Sequence, residues 1–298
     1  MPSSSVLERF EREKQRGLLA DAYLLVGPSR LGREELARAF AARLLGLPGG
    51  PGFHPDFVVF DPRALGTPSL KVEHIARRKE GVPNLEEALR YRPERGGARA
   101  VLLFEADAMN PDAQAALLKT AEEPPPGTVL ILTAGTLGPL LPALRSRCRT
   151  YRVPALPAAV LAGRAAEEGI DPGAWEALSR GLGGEAVLEL PPEERSRLLE
   201  IGEAFQAWRR GEAGPAGWLA PPEGASLAEQ RERGARGLSA CLGWLARAYP
   251  AAGAPQALAL DRLVRLLTGA LAELGGQITP GLVFERLLGG VEEIRKSG

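Results

Sequence analysis

The residues best suited to chemistry in this sequence lie in two short stretches. Gly27-Pro-Ser-Arg-Leu-Gly32-Arg33-Glu34 has the glycine spacing of a phosphate-binding loop. In such a loop, backbone amides curl around phosphates, a lysine reaches the outer phosphates and the next hydroxyl holds Mg²⁺. Here Arg33 stands at the lysine position and Glu34 at the hydroxyl position, so a carboxylate lies beside the intended phosphates. The second stretch is Val101-Leu-Leu-Phe104-Glu105-Ala-Asp107. A nucleotide hydrolase would end this run in Asp-Glu. Phe104 takes the metal-side aspartate position, and Glu105 remains where water would be oriented. Hydrolysis needs phosphate cradle, metal and base together. An active ATPase would need lysine at position 33, serine or threonine at 34 and aspartate at 104. The sequence predicts a chain that neither binds ATP tightly nor hydrolyses it.

Both stretches need a sheet behind them. Ala22-Tyr-Leu-Leu-Val26, Phe57-Val-Val-Phe60, Ala100-Val-Leu-Leu-Phe104 and Val129-Leu-Ile-Leu-Thr133 are apolar runs without polar alternation. That pattern predicts strands buried on both faces by helices, hence a parallel α/β sheet. Thr150-Tyr-Arg-Val153 is a weaker fifth run. Asn110 and Pro111 predict a helix start, with a helix over Ala113 to Glu123 that Pro124-Pro-Pro126 stops. Beyond Val153 the strand signal ends. Pro154 and Pro157 mark a linker and Pro191-Pro192 a second boundary, dividing the chain at 1–153, 154–192 and 193–298. The middle segment reads as short helices broken at Gly169, Asp171-Pro172 and Gly181 to Gly184. The last is helical, with Leu198, Ile201, Phe205 and Trp208 on one face, Leu260, Leu263, Leu267, Leu271 and Leu274 on another, and a loop over Gly211 to Gly224.

Composition excludes several classes. Among 298 residues, no apolar run reaches the roughly 18 needed to span a membrane. Met1 to Lys14, polar and carrying Glu8, Glu11 and Glu13, does not read as a signal peptide. Two cysteines and two histidines leave no disulfide framework and no zinc cluster. A net charge of zero, with 37 basic and 37 acidic residues, argues against a stand-alone DNA-binding protein. The scarcity of Asn and Met fits heat adaptation, and GC-rich codon usage explains the Arg and Ala excess equally well.

With these motifs in order, the chain resembles the delta-prime family of bacterial DNA polymerase III clamp-loader subunits, within the AAA+ proteins. The residues carrying the resemblance are Ala22-Tyr-Leu-Leu, the Gly27 to Glu34 loop, His54-Pro-Asp56 and Glu105-Ala-Asp-Ala-Met-Asn110. Ala116-Leu-Leu-Lys-Thr-Ala-Glu-Glu-Pro-Pro-Pro126 and Leu141-Pro-Ala-Leu-Arg-Ser-Arg-Cys148 complete them. The likeness is strong over about residues 18–153 and faint beyond. It implies a RecA-like domain over 1–153, a helical lid over 154–192 and a helical collar for oligomerisation over 193–298. It also implies a stationary, nucleotide-free subunit whose partners are gamma/tau-type ATPase subunits and a delta subunit. The sliding clamp and primer–template DNA are reached through that complex, in the bacterial cytoplasm at the nucleoid-associated replisome. The runner-up is an ATP-hydrolysing subunit of the same loader.

The resemblance makes Arg147, in Ser146-Arg147-Cys148, an arginine finger projecting to a neighbouring subunit's ATP. Ser146 and Cys148 are its structural neighbours, and Cys148 reads as a packed thiol because no histidine accompanies it. Many relatives carry a four-cysteine zinc module where this chain has Gly46-Leu-Pro-Gly-Gly-Pro-Gly52, so no zinc is expected. Lys79 to Glu94 reads as longer than the usual helix and turn, as from a surface insertion. Glu185 stands where ATP-using relatives have a second phosphate-sensing arginine. His54 reads as a cap or packing residue. Arg77-Arg78-Lys79 is equally consistent with facing DNA inside a ring and with a solvated helix face.

Overall fold

The computed structural model describes residues 2–47, 50, 52–94, 97–214, 226–248, 254–276 and 278–296. The chain divides into two compact units, 1–156 and 157–298.

The first unit contains α1 (Pro2–Gln15), β1 (Ala22–Val26), α2 (Arg30–Leu45), β2 (Phe57–Phe60), α3 (Val72–Ile75), α4 (Leu85–Ala88), β3 (Arg99–Leu103), α5 (Pro111–Glu122), β4 (Thr128–Ala134), α6 (Pro142–Arg147) and β5 (Arg149–Arg152). All strand pairs are parallel, in the order β2-β3-β4-β1-β5. Strand alternation sends Tyr23 and Leu25 to one face, with Phe10, Phe40 and Tyr151, and Ala22 and Leu24 to the other, with Leu117, Leu144 and Cys148. A core on each face is why β1, β3 and β4 read as unbroken apolar runs. β2 departs from the expectation of burial on both faces. It is an edge strand, and Phe57, Val58 and Val59 are only half-buried. β3 and β5 each begin one residue earlier than the apolar runs suggest, because Arg99 and Arg149 pair within the sheet although their side chains are polar.

Asn110 caps α5 by accepting from the Ala113 amide at 2.9 Å, and Pro111 occupies the first turn. The segment beginning at Met1 supplies α1, whose Phe10 stacks on Phe40 at 4.1 Å between ring centres.

The second unit contains α7 (Ala158–Glu167), α8 (Pro172–Leu182), α9 (Gly184–Glu189), α10 (Pro192–Arg209), α11 (Leu227–Ala248), α12 (Ala254–Leu274) and α13 (Pro280–Lys296). The helices read as lid and those read as collar share this unit, because α8 packs directly on α11. Gly181 and Gly243 make that approach possible. A Cβ on Gly243 would sit 2.0 Å from the Ala177 carbonyl oxygen, and one on Gly181 would sit 1.9 Å from that of Ser239. The core beyond joins Phe205, Trp208, Leu238 and Leu245 to Leu260, Leu263, Leu267 and Leu274. Leu271 is half-buried. The loop expected over Gly211 to Gly224 lies outside the described residues from 215 onward, and the Gly46 to Gly52 stretch lies outside them at 48, 49 and 51.

Candidate functional site

β1 delivers the chain to Gly27, whose amide donates to the Ala134 carbonyl at 3.2 Å. Any Cβ there would lie 1.8 Å from the Val153 carbonyl oxygen, so the position requires glycine. Ser29 then adopts an extended backbone and caps α2, its Oγ accepting from the Gly32 amide at 3.0 Å. The Arg33 amide bonds to the Ser29 carbonyl at 3.1 Å. A phosphate cradle needs such amides pointing at the ligand. In this chain the Gly32 and Arg33 amides are instead spent on Ser29.

The Arg33 side chain completes the closure. It is 5% exposed, and its guanidinium donates to the Gly27 carbonyl, so the loop's own cation lies against the loop. Glu34 pairs with Arg30 at 2.8 Å. Burial pushes its carboxyl above the usual range, and the nearby Asp61 and Glu105 push the same way. Phe104 is fully buried in the sheet–α2 core, beneath the Arg38 guanidinium at 5.4 Å. An apolar ring therefore fills the place of a metal-binding carboxylate.

Glu105 follows with φ 55°, the one positive φ outside glycine among the described residues. Its amide donates to Thr133 Oγ1 at 3.1 Å, and its carboxylate stands 4.0 Å from Arg63. Burial raises its pKa as well. Asp107 Oδ2 accepts from the Gly135 and Thr136 amides at 2.9 and 3.1 Å, which fastens the loop after β4. A surface cavity of about 520 Å³ opens beside Gly27 and Gly135. Its lining is apolar and backbone apart from Thr136 and Arg152, with no lysine and no acid. No group of three His, Cys, Asp or Glu residues able to hold a metal occurs among the described residues.

Arg147 ends α6. Leu144 and Cys148 point into the core, which leaves Arg145, Ser146 and Arg147 on the outer side. The Arg147 guanidinium is 3.1 Å from Glu122, with both side chains about half exposed. Ser146 Oγ donates to the Ala143 carbonyl at 2.8 Å. Burial pushes the Cys148 thiol up to about 12, so it stays protonated and packs as an apolar group. Gln114, which drew no attention in the sequence, is 1% exposed and ties α5 to the entry of α6. Its Nε2 donates to the Met109 and Pro139 carbonyls, and its Oε1 accepts from the Leu141 amide at 2.7 Å. A glutamine preceding an Ala-Ala-Leu-Leu run was the only available signal.

Arg77, Arg78 and Lys79 do not lie on a helix face. α3 stops at Ile75, and the three occupy an exposed loop whose Arg77 amide donates to Glu86 at 3.0 Å. His54 acts as a cap, Nδ1 accepting from the Asp56 amide at 3.1 Å. Asp56 is 1% exposed and pairs with Arg99, itself buried, at 3.4 Å. Arg99 also donates to the Ala88, Tyr91 and Arg92 carbonyls, pinning the β2–β3 connection to the sheet. Glu185 lies in the first turn of α9, in the second unit, whereas the Gly27 to Glu34 loop is in the first.

Comparison with known proteins bears on this geometry. The family described as DNA polymerase III, delta subunit, matches residues 3–157, more than half of the chain. DNA polymerase III subunit delta-prime of Pseudomonas aeruginosa is 37% identical over 144 residues, covering 43% of this chain and 42% of that protein. Its counterpart in Escherichia coli is 37% identical over 100 residues, covering 34% of this chain and 28% of that protein. The match thus spans less than half the length of either relative. A DNA polymerase III gamma subunit-related protein of Thermotoga maritima superposes with a TM-score of 0.56 at 16% identity, covering 98% of both chains, a likeness of fold.

Proposed function

The chain belongs to the DNA polymerase III delta-subunit family, and from that premise we propose that it is the delta-prime-type subunit of a clamp loader, without ATPase activity of its own. Its work is to complete a ring with gamma/tau-type ATPase subunits and a delta subunit, and to present Arg147 to a neighbour's bound ATP. The ring then opens the sliding clamp and places it on primer–template DNA. Such work belongs at the replisome in the bacterial cytoplasm.

One observation carries the reading. The subunit's own phosphate loop is closed by Arg33 and Ser29, while Arg147 is held outward at the end of an anchored helix. A planar, permanently charged fork there matches charge that builds on the neighbour's outer phosphate during hydrolysis, beyond that of the ground state. Glu122 holds the fork in the free subunit at little cost, since exposed ion pairs exchange readily. Arg77, Arg78 and Lys79, exposed on their loop, are the proposed DNA contacts of this chain.

The test is steady-state ATPase and clamp loading by complexes reconstituted with Arg147→Ala. Assembly should survive, and one site of the ring should lose about 10³-fold or more in hydrolysis rate. Unchanged rates at every site would sink the trans role. The runner-up, an ATP-hydrolysing subunit, requires turnover by the isolated chain.

A further inference from the structure

The outer face of α1 carries Arg9 and Arg12, and Arg16 follows just past its last residue, all three exposed. They line a surface cavity of about 290 Å³ together with Glu13 and Leu18. Glu13 is already committed, accepting from the Tyr151 hydroxyl at 2.7 Å and the Tyr23 hydroxyl at 2.9 Å, and pairing with Arg149 at 2.8 Å. Arg9 lies over the Tyr151 ring and 3.6 Å from Glu13. Arg12 and Arg16 make no side-chain hydrogen bond or ion pair among the described residues, and Glu8, one turn before Arg12, does not pair with it. Three arginines against Glu13 give the cavity lining a charge of +2 in a chain whose net charge is zero.

We infer that this face of α1 and the turn after it form a docking site for an acidic peptide segment of a partner protein, whose carboxylates pair with Arg9, Arg12 and Arg16 while an apolar side chain rests on Leu18. Three features favour a peptide over nucleic acid. Leu18 is 57% exposed at the cavity and gives it an apolar rim. No exposed aromatic ring lines the cavity, and base stacking would need one. β5, which Arg149 ties to this face, is an edge strand paired with β1 alone among the described residues, so its outer edge can receive an extended chain. Arginine forks hold carboxylates in two-point contacts, which gives the site its preference.

The experiment is fluorescence anisotropy on the full chain with a labelled short peptide of aspartates interrupted by leucines. A short oligothymidylate and inorganic phosphate serve as competing probes. The peptide should bind, weaken with added salt and displace more readily than either probe can displace it. Arg12→Glu/Arg16→Glu should reduce affinity at least about tenfold. Arg262→Glu, at an exposed arginine on α12, should leave it unchanged, and both variants should keep the wild-type thermal midpoint. Undetectable peptide binding, binding untouched by the double substitution, or tighter binding of the oligothymidylate than of the peptide at equal salt would each overturn the assignment.

Discussion

Arg147 and Arg33 have the same side chain and opposite surroundings. The first is half exposed and held by a surface carboxylate, and the second is 5% exposed and turned onto its own loop. Substituting Arg147 should therefore cost under about 1 kcal/mol of stability, as for exposed ion pairs. Arg147→Lys should restore little of the activity lost in the alanine variant, since a point charge does not reproduce a planar fork. Comparing the two variants in reconstituted ATPase assays measures this directly. Arg33 governs a separate expectation. Calorimetry of the isolated chain with Mg²⁺-ATP should show no micromolar site, because the Gly32 and Arg33 amides are spent within the loop and α2. Tight binding with metal-dependent turnover would refute the closed-loop reading. These replacements were visible in the sequence because they sit at fixed positions of a motif. The hydrogen bonds of Ser29, Asp107 and Gln114 were not, because short polar side chains signal a partner only once the backbone that brings it is known.

At the scale of elements, buried strands were legible and polar ties were not. Unbroken apolar runs located β1, β3 and β4, since a strand covered on both faces has no polar positions to spare. α1 escaped notice because its buried Phe10 lies among charged residues, and those charges do structural work. Glu13 ties α1 to β1 and β5 through Tyr23, Tyr151 and Arg149. Burial alone would raise its pKa, but the hydrogen bonds from Tyr151, Arg149 and Tyr23 bring it below the ordinary 4.5. A group whose folded pKa is lowered adds stability above its unfolded pKa and loses it as pH falls through the folded value. Glu13→Gln should thus cost about 1–2 kcal/mol at pH 7, and the gap to wild type should close as pH drops below 4.5. Urea unfolding at neutral and acid pH checks the sign. The α8–α11 contact makes a sharper demand. Gly243→Ala should cost about 1–3 kcal/mol, because a methyl group cannot share space with the Ala177 carbonyl. Thermal unfolding reads that loss, and Gly269→Ala, where a Cβ meets nothing within 4 Å, is the matched control.

For the whole molecule, the division after Leu156 changes how its parts are to be separated. Prolines at 191 and 192 mark a boundary in the sequence, yet a cut there would strip α8 of α11. Residues 1–156 should unfold cooperatively as a fragment and fail to enter a reconstituted loader, as size-exclusion chromatography with the partner subunits would show. Normal co-elution of that fragment would place the assembly surface in the sheet unit instead. The order of the sheet also has a consequence in time. β1 is made first and stands between β4 and β5, which are made last, with Tyr23 opposite Ile131 on one side and Arg149 on the other. During synthesis at 5–20 residues per second, the apolar strand Ala22–Val26 has no strand partner for about 5–22 s, until β4 is complete. For that interval the emerging chain holds a buried strand whose sheet edges are both open, because α1 and α2 can cover one of its faces but only β4 and β5 can take up its backbone hydrogen bonds. Folding of this unit on the ribosome is therefore a late event, and the nascent polypeptide is a natural client for chaperones that shield apolar strands until residue 152 has cleared the exit tunnel.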